Sequence, residues 1–330
     1  MLSRIAEALF ETGRDVERAQ NVVRMLEVQH KMHLARHTAD PGEGWMPFFE
    51  AFAVEEADGP TEEALYSVLV LDRDHPYSAR GRIASARERA RTLRECLSEE
   101  MWEHLNRFHL ELAPLDFADI RSIGRSEFNR RIDVFCDAFH GLADDTMIHG
   151  AEWHFLRLGK FLERAAMLCR ILDVKQKTLE LAPEQEGRPI DFHQWQGMLR
   201  SVSGYEPYRR VYDARIVPSQ VLDLVLQHPE FPRSYQHCLA RVEESLGAVT
   251  SDAWMQRELL AEVRKAREQL AMQPGPALLQ GGLEAHVRTL NRRCAAIVEG
   301  VQAAFFRIRR PAPRASSSGP GGRLQGQVQQ

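Results

Sequence analysis

The sequence predicts an all-α protein, a pseudo-symmetric bundle of long helices. Three observations lead there. Apolar or small residues recur at alternating three- and four-residue spacing over long stretches, proline is sparse within them, and strict period-two alternation is confined to short pieces such as Ser67 to Leu71.

The first helix carries Leu2, Ile5, Leu9, Thr12, Val16, Ala19, Val23 and Leu26 on one face, and with no proline before Pro41 it is expected to run to about His33. A second stripe follows at Ala79, Ile83, Ala86, Ala90, Leu93 and Leu97. A third, as long as the first, is Ile148, Ala151, Phe155, Leu158, Leu162, Ala165, Cys169 and Leu172. Residues 118–142, 232–249, 255–272 and 283–307 are also helical in composition. From Pro311 the chain becomes rich in Pro, Ser, Gly and Gln, with too little apolar surface to offset its ordering entropy, so residues 311–330 are expected to be a disordered tail.

Composition narrows the function classes. With 44% hydrophobic and 27% charged residues the chain can bury a sizeable core, which excludes disordered and collagen-like proteins. A net charge of -4 offers no global field for nucleic acid or anionic lipid, so neither is expected as a partner. No stretch approaches the roughly 20 apolar residues of a membrane span, and the start of the chain lacks the apolar run of a signal peptide. Cys96, Cys136, Cys169, Cys238 and Cys294 are widely spaced and odd in number, which fits core thiols in a reducing compartment rather than a disulfide framework or zinc site. A cytoplasmic location is expected.

The two long helices resemble each other. Shifting Gly13–Val28 by 146 residues onto Gly159–Val174 gives identity at Gly13/Gly159, Glu17/Glu163, Arg18/Arg164, Ala19/Ala165, Arg24/Arg170, Leu26/Leu172 and Val28/Val174. Further on, a shift of 156 pairs Pro76 with Pro232, Ser78 with Ser234 and Glu88 with Glu244, which places an insertion near Pro183 to Asp191. The expectation is a duplicated single domain over residues 1–310, with halves 1–145 and 146–310 meeting in a short turn within Gly141 to Gly150.

Several segments resemble the alpha-E family, a bacterial group known as an all-helical domain with an ER motif. They are Ser3-Arg4-Ile5-Ala6-Glu7 followed by Gly13-Arg14-Asp15-Val16-Glu17-Arg18-Ala19, the second copy Gly159-Lys160-Phe161-Leu162-Glu163-Arg164-Ala165, then Asp72-Arg73-Asp74-His75-Pro76-Tyr77-Ser78 and Ser203-Gly204-Tyr205-Glu206-Pro207-Tyr208-Arg209-Arg210, and Phe231-Pro232-Arg233-Ser234. Glu11 and His75 depart from the family pattern, at a helix surface and a turn. The resemblance implies an accessory role beside ATP-grasp peptide-ligase-like or transglutaminase-like enzymes.

The chain lacks G-x-x-x-x-G-K-[ST], G-x-G-x-x-G, G-x-S-x-G and H-E-x-x-H, so common phosphate cradles, nucleophile elbows and zinc helices are missing and no cofactor or metal is expected. A di-iron bundle would want two Glu-x-x-His motifs, but only Glu27-Val28-Gln29-His30 occurs, its counterpart being Asp173-Val174-Lys175-Gln176. Asp145, His149 and Glu152 share a helical face that suits a surface cluster better than a metal.

Glu17, Arg18, Glu163 and Arg164 carry the strongest signal. Arg164 has no acid at i±3 or i±4, so its guanidinium needs a partner from another helix or a ligand. Three readings stay open: a buried ion-pair cluster between the two repeat helices, a ligand or catalytic site, and plain surface charge. Arg80, Arg87, Arg91 and Arg94 form a basic stripe that its local acids leave under-compensated, with Arg209 and Arg210 as an opposite wall, a candidate surface for an anionic ligand or acidic partner segment. Solvated charge is the competing reading. The functional expectation is a non-catalytic scaffold, and the alternative is an enzyme component with an Arg/Glu substrate site.

Overall fold

The computed structural model describes residues 3–35, 44–55, 60–181, 189–250, 253–271 and 282–306, and among them no strand occurs. Most of the insertion expected at Pro183 to Asp191, and the whole of 311–330, lie outside the described residues. No helix among the described residues is long and apolar enough to cross a membrane.

Two long helices, α1 (Ser3–Ala35) and α8 (Ala151–Leu181), pack against each other along the centre of the molecule. Around α1 sit α4 (Ala79–Thr92) and α7 (Arg125–Thr146), with α5 (Glu99–Leu112) bridging them. Around α8 sit α12 (Tyr235–Val249) and α14 (Leu283–Val301), bridged by α13 (Trp254–Ala271). Short helices complete the body: α2 (Met46–Phe52), α3 (Glu62–Tyr66), α6 (Phe117–Ile123), α9 (Pro189–Ser201), α10 (Tyr205–Val211) and α11 (Pro218–Leu222). One continuous hydrophobic cluster fills the space between them, and Leu9, Val16, Ala19, Val23, Leu26, Leu158, Leu162, Ala165 and Leu172 of the central pair are all buried in it.

The caps explain where helices begin. Ser78, Ser98 and Ser234 have extended backbones and accept from Gly81 N, Met101 N and His237 N, satisfying donors that would otherwise be orphaned. Asp116 and Asp119 form a reciprocal capping box at α6.

Three local expectations change. Ser67–Leu71 is not extended but a π-helical turn continuing α3, with the adjacent Leu69 and Val70 both buried, which a two-faced strand cannot do. The helix expected over 118–142 is split at Gly124, whose φ of 91° and ψ of 127° suit glycine and break the helical ladder. The last helix ends in a π-helical turn, Gln302–Phe306. α7 runs through Gly141, and residues 147–150, inside the expected run Gly141 to Gly150, connect it to α8.

Candidate functional site

The site begins with two glycines. A Cβ built on Gly13 would collide with the backbone carbonyl of Leu156, and one on Gly159 with that of Phe10, so α1 and α8 cross with their backbones in contact. Only glycine permits that approach.

One helical turn beyond each glycine stands an ER pair, and the approach brings the pairs together crosswise. Arg164 grips Glu17 through Nε–Oε1 and Nη2–Oε2, both 2.7 Å. Arg18 grips Glu163 through Nε–Oε1 at 2.6 Å and Nη2–Oε2 at 2.8 Å. These are fork-on-carboxylate contacts, among the strongest hydrogen bonds a protein makes. Glu17 is fully buried, and Glu163 and Arg164 nearly so.

Each carboxylate has further partners. Glu163 Oε2 also accepts from Arg14 Nε at 3.0 Å. Glu17 Oε1 accepts from Asn21 Nδ2 at 2.8 Å and Arg233 Nη1 at 3.4 Å, and His140 Nε2 lies 3.3 Å from its Oε2. Burial pushes both carboxyls up, but the arginines outweigh it and hold both below the usual carboxylate range, Glu17 well below it.

The arginines reach on to the next layer. Arg18 Nη1 donates to the Pro76 carbonyl at 2.9 Å, and Arg164 Nη1 to the Pro232 carbonyl at 3.3 Å. Both carbonyls lie two residues before the capping serines of α4 and α12, so each ER arginine ties the central crossing to the start of an outer helix. Arg18, Arg14 and Glu163 border a recess of about 270 Å³ that also contains Tyr77 and Arg170.

His140, Arg233, Asn21 and Arg14 were not singled out from the sequence. Arg233 sits within the quoted motif Phe231-Pro232-Arg233-Ser234, but nothing local says that it reaches Glu17. His140 lies far from Glu17 in the chain and comes beside it only through the packing of α7 on α1.

Burial, together with the nearby Lys160 ammonium, lowers the His140 pKa to about 4. The neutral ring with its proton on Nε2 can donate to Glu17. An unfolded histidine titrates near 6.5, so between about pH 6.5 and about pH 4 the unfolded chain binds a proton that the folded one does not, and the fold is expected to lose about 3 kcal/mol as pH falls through that window. Urea unfolding of the parent and of His140→Gln at about pH 7.5 and about pH 4.5 checks this: the variant should show a smaller acid loss by that amount.

In the basic stripe one acid of the same helix, Glu88, is engaged by two of the four arginines. Glu88 pairs with Arg87 and, at 3.2 Å, with Arg91. Arg87 also donates to Asn106 Oδ1 at 3.0 Å, and Arg80 donates to the Leu115 carbonyl. Arg87 and Arg94 lie 5.5 and 5.4 Å from the centre of the Trp102 ring. α5 and the turn after it add neutral acceptors and an aromatic face that helix periodicity cannot reveal. Two other arginines of α4, Arg82 and Arg89, pair with the buried Asp15 of α1. Arg209 and Arg210 are exposed on α10, which packs on α9, while α4 packs on α1 and α5. Arg209 lies 3.8 Å from Glu206 on its own helix.

The Glu-x-x-His pair diverges as well: Glu27 bonds Lys31 and Asn129, while His30 pairs with Glu62 at 2.6 Å. His149 bonds the Asp144 carbonyl at 2.9 Å and stacks on Trp153. Among the described residues no group of three His, Cys, Asp or Glu side chains could hold a metal ion.

Comparison with known proteins places this geometry in context. The chain is similar to an uncharacterised protein of Mycobacterium bovis (strain ATCC BAA-935 / AF2122/97), 26% identical over 267 residues that make up 74% of this chain and 29% of the relative. It is 25% identical, over the same shares, to one from Mycobacterium tuberculosis (strain ATCC 25618 / H37Rv). The chain thus spans less than a third of the length of these curated relatives. No solved structure matches it. Residues 1–306 match the Alpha-E family, described as a predicted alpha-helical domain with a conserved ER motif, and since the match takes in both central helices and the described body around them, the chain belongs to the Alpha-E family.

Proposed function

We propose that the chain is a non-catalytic scaffold module that docks a partner enzyme, of the ATP-grasp peptide-ligase-like or transglutaminase-like kind that the family resemblance implies, and that it works in the cytoplasm. One observation carries the scaffold reading: every oxygen of Glu17 and Glu163 is engaged by a cation or amide of the protein, which leaves neither carboxylate free as an acid, base or nucleophile. In this reading Glu17-Arg18 and Glu163-Arg164 are the two copies of the ER motif in one domain made by duplication over residues 1–310. The reciprocal glycine contacts, the crosswise ion pairs and the matching proline carbonyls support the duplication. The similar segment being under a third of its relatives' length fits a module that serves other domains.

The partner-facing arginines in this proposal are those left exposed, Arg91 in the last turn of α4 and Arg94 in the turn after it, which suit an acidic segment of the partner. Arg80 and Arg87 are held by their own protein, and Arg209 and Arg210 form a separate exposed pair. Affinity purification from the native host, with co-purifying proteins identified, is the test. The parent is expected to bring down an ATP-grasp or transglutaminase-like enzyme, and Arg91→Ala/Arg94→Ala to recover less of it with an unchanged melting temperature. Calorimetric titration of the isolated chain with Mg-ATP should show no binding. Micromolar ATP binding would favour the enzyme-component reading instead.

A further inference from the structure

Lys160 breaks the reciprocity of the crossing. On α1, Arg14 stands one turn before Arg18 and bonds Glu163. On α8, Lys160 stands at the corresponding place before Arg164, but the carboxylate it would reach, Glu17, is already engaged by Arg164, Asn21, Arg233 and His140. Among the described residues Lys160 makes no hydrogen bond and no ion pair; its ammonium lies 5.6 Å from the centre of the Phe161 ring.

That ammonium lines a recess of about 260 Å³ between the second half of α7, the first half of α8 and the start of α12. The other charged or titratable groups lining it are His140, Asp144, Arg157, His237 and Arg241. Arg157 and Arg241 lean on the same half-exposed acid, Glu244, each at 2.9 Å. The Nε of Arg241 is buried without a hydrogen-bond partner among the described residues. Asp144, the one carboxylate in the lining, accepts from Trp153 Nε1 at 3.1 Å. Three basic side chains, Lys160, Arg157 and Arg241, therefore line this space with one carboxylate, Asp144, and the two arginines share Glu244 beside it.

Lys160 is partly buried, and the loss of solvation together with the neighbouring Arg164 disfavours its charge, lowering its pKa to about 8. A bound anion would offset that cost. Lysine and arginine donors suit an oxyanion, and the recess is smaller than the roughly 300–1,000 Å³ pockets that take drug-sized ligands. We propose that the recess between α7, α8 and α12 binds a small oxyanion, a phosphate or carboxylate group, held by Lys160 with Arg157 and Arg241 at its rim. This site is independent of the scaffold reading, because none of its rim cations belongs to the ER pairs or to the α4 stripe.

The test is calorimetric titration of the full chain with inorganic phosphate and, separately, with succinate. Saturable binding of at least one probe is expected: phosphate alone assigns a phosphate group, succinate alone a carboxylate, and both assign an oxyanion site without preference. Lys160→Gln, which removes the charge and keeps a polar end, should weaken binding at least about tenfold. Its melting temperature without anion should not fall, since no partner is stranded. Arg241→Gln, on a half-exposed residue, provides a second variant and should also weaken binding. Absence of saturable binding for both probes overturns the proposal. So does a Lys160→Gln variant that binds like the parent, or one that melts lower than the parent in the absence of anion, which would make Lys160 a structural cation.

Discussion

Glu17→Ala is expected to destabilise the protein by about 3 to 5 kcal/mol, because it leaves Arg164 buried beside an empty space and Arg233 without its carboxylate. For a chain of this size that is a fall in melting temperature on the order of 10 °C. Glu163→Ala should cost less, since its partners Arg14 and Arg18 are 19% and 13% exposed against 10% for Arg164 and Arg233, and water can solvate them in part. Removing both members of a pair, Glu17→Leu with Arg164→Leu, should cost less than the sum of the two single changes, because no lone charge is left behind. Thermal unfolding of the two single variants and the double variant measures this coupling. A Glu17→Ala protein that melts like the parent would show that the crossing does not depend on these pairs.

The second large effect is expected at the glycines. In an ordinary helix interior glycine to alanine is a gain of about 1 kcal/mol. At Gly159 the new methyl would meet the Phe10 carbonyl, and at Gly13 that of Leu156, both backbone atoms within long helices that cannot step aside. The helices would have to separate, stretching the ER contacts one turn away, so Gly159→Ala and Gly13→Ala should each cost about 3 kcal/mol or more. Gly141→Ala is the control: nothing lies within 4 Å of a Cβ there, and that variant should be stabilised by up to about 1 kcal/mol. Urea midpoints of the three variants give the signs directly. A Gly159→Ala chain as stable as the Gly141→Ala one would mean that the backbones do not touch.

These two effects meet at one place, which explains how the crossing is built. The glycines bring two backbones together, and closeness makes the short ER side chains able to reach across. The arginines then extend the tie to the Pro76 and Pro232 carbonyls and so to α4 and α12. Losing any one of these contacts loosens the others, so their energies will not add.

In this Alpha-E protein, the features legible from the residues are those that depend on near neighbours along the chain. Helical periodicity, proline and capping serines are local, so the helical class, the two long helices and most of the outer ones could be read from spacing alone, and the repeated Gly-x-x-x-Glu-Arg marked where to look. The exceptions were also local but energetically finer: a π-helical turn at Ser67–Leu71 and a break at Gly124 depend on a few backbone angles that composition does not encode. The partners of the charges come from the packing of the helices. That Glu17 faces Arg164, that His140 and Arg233 close around it, that α5 supplies acceptors and a ring to the α4 arginines, and that Lys160 is left facing a recess all depend on which helix faces which, and a charge's partner is set by distance in space rather than distance in sequence.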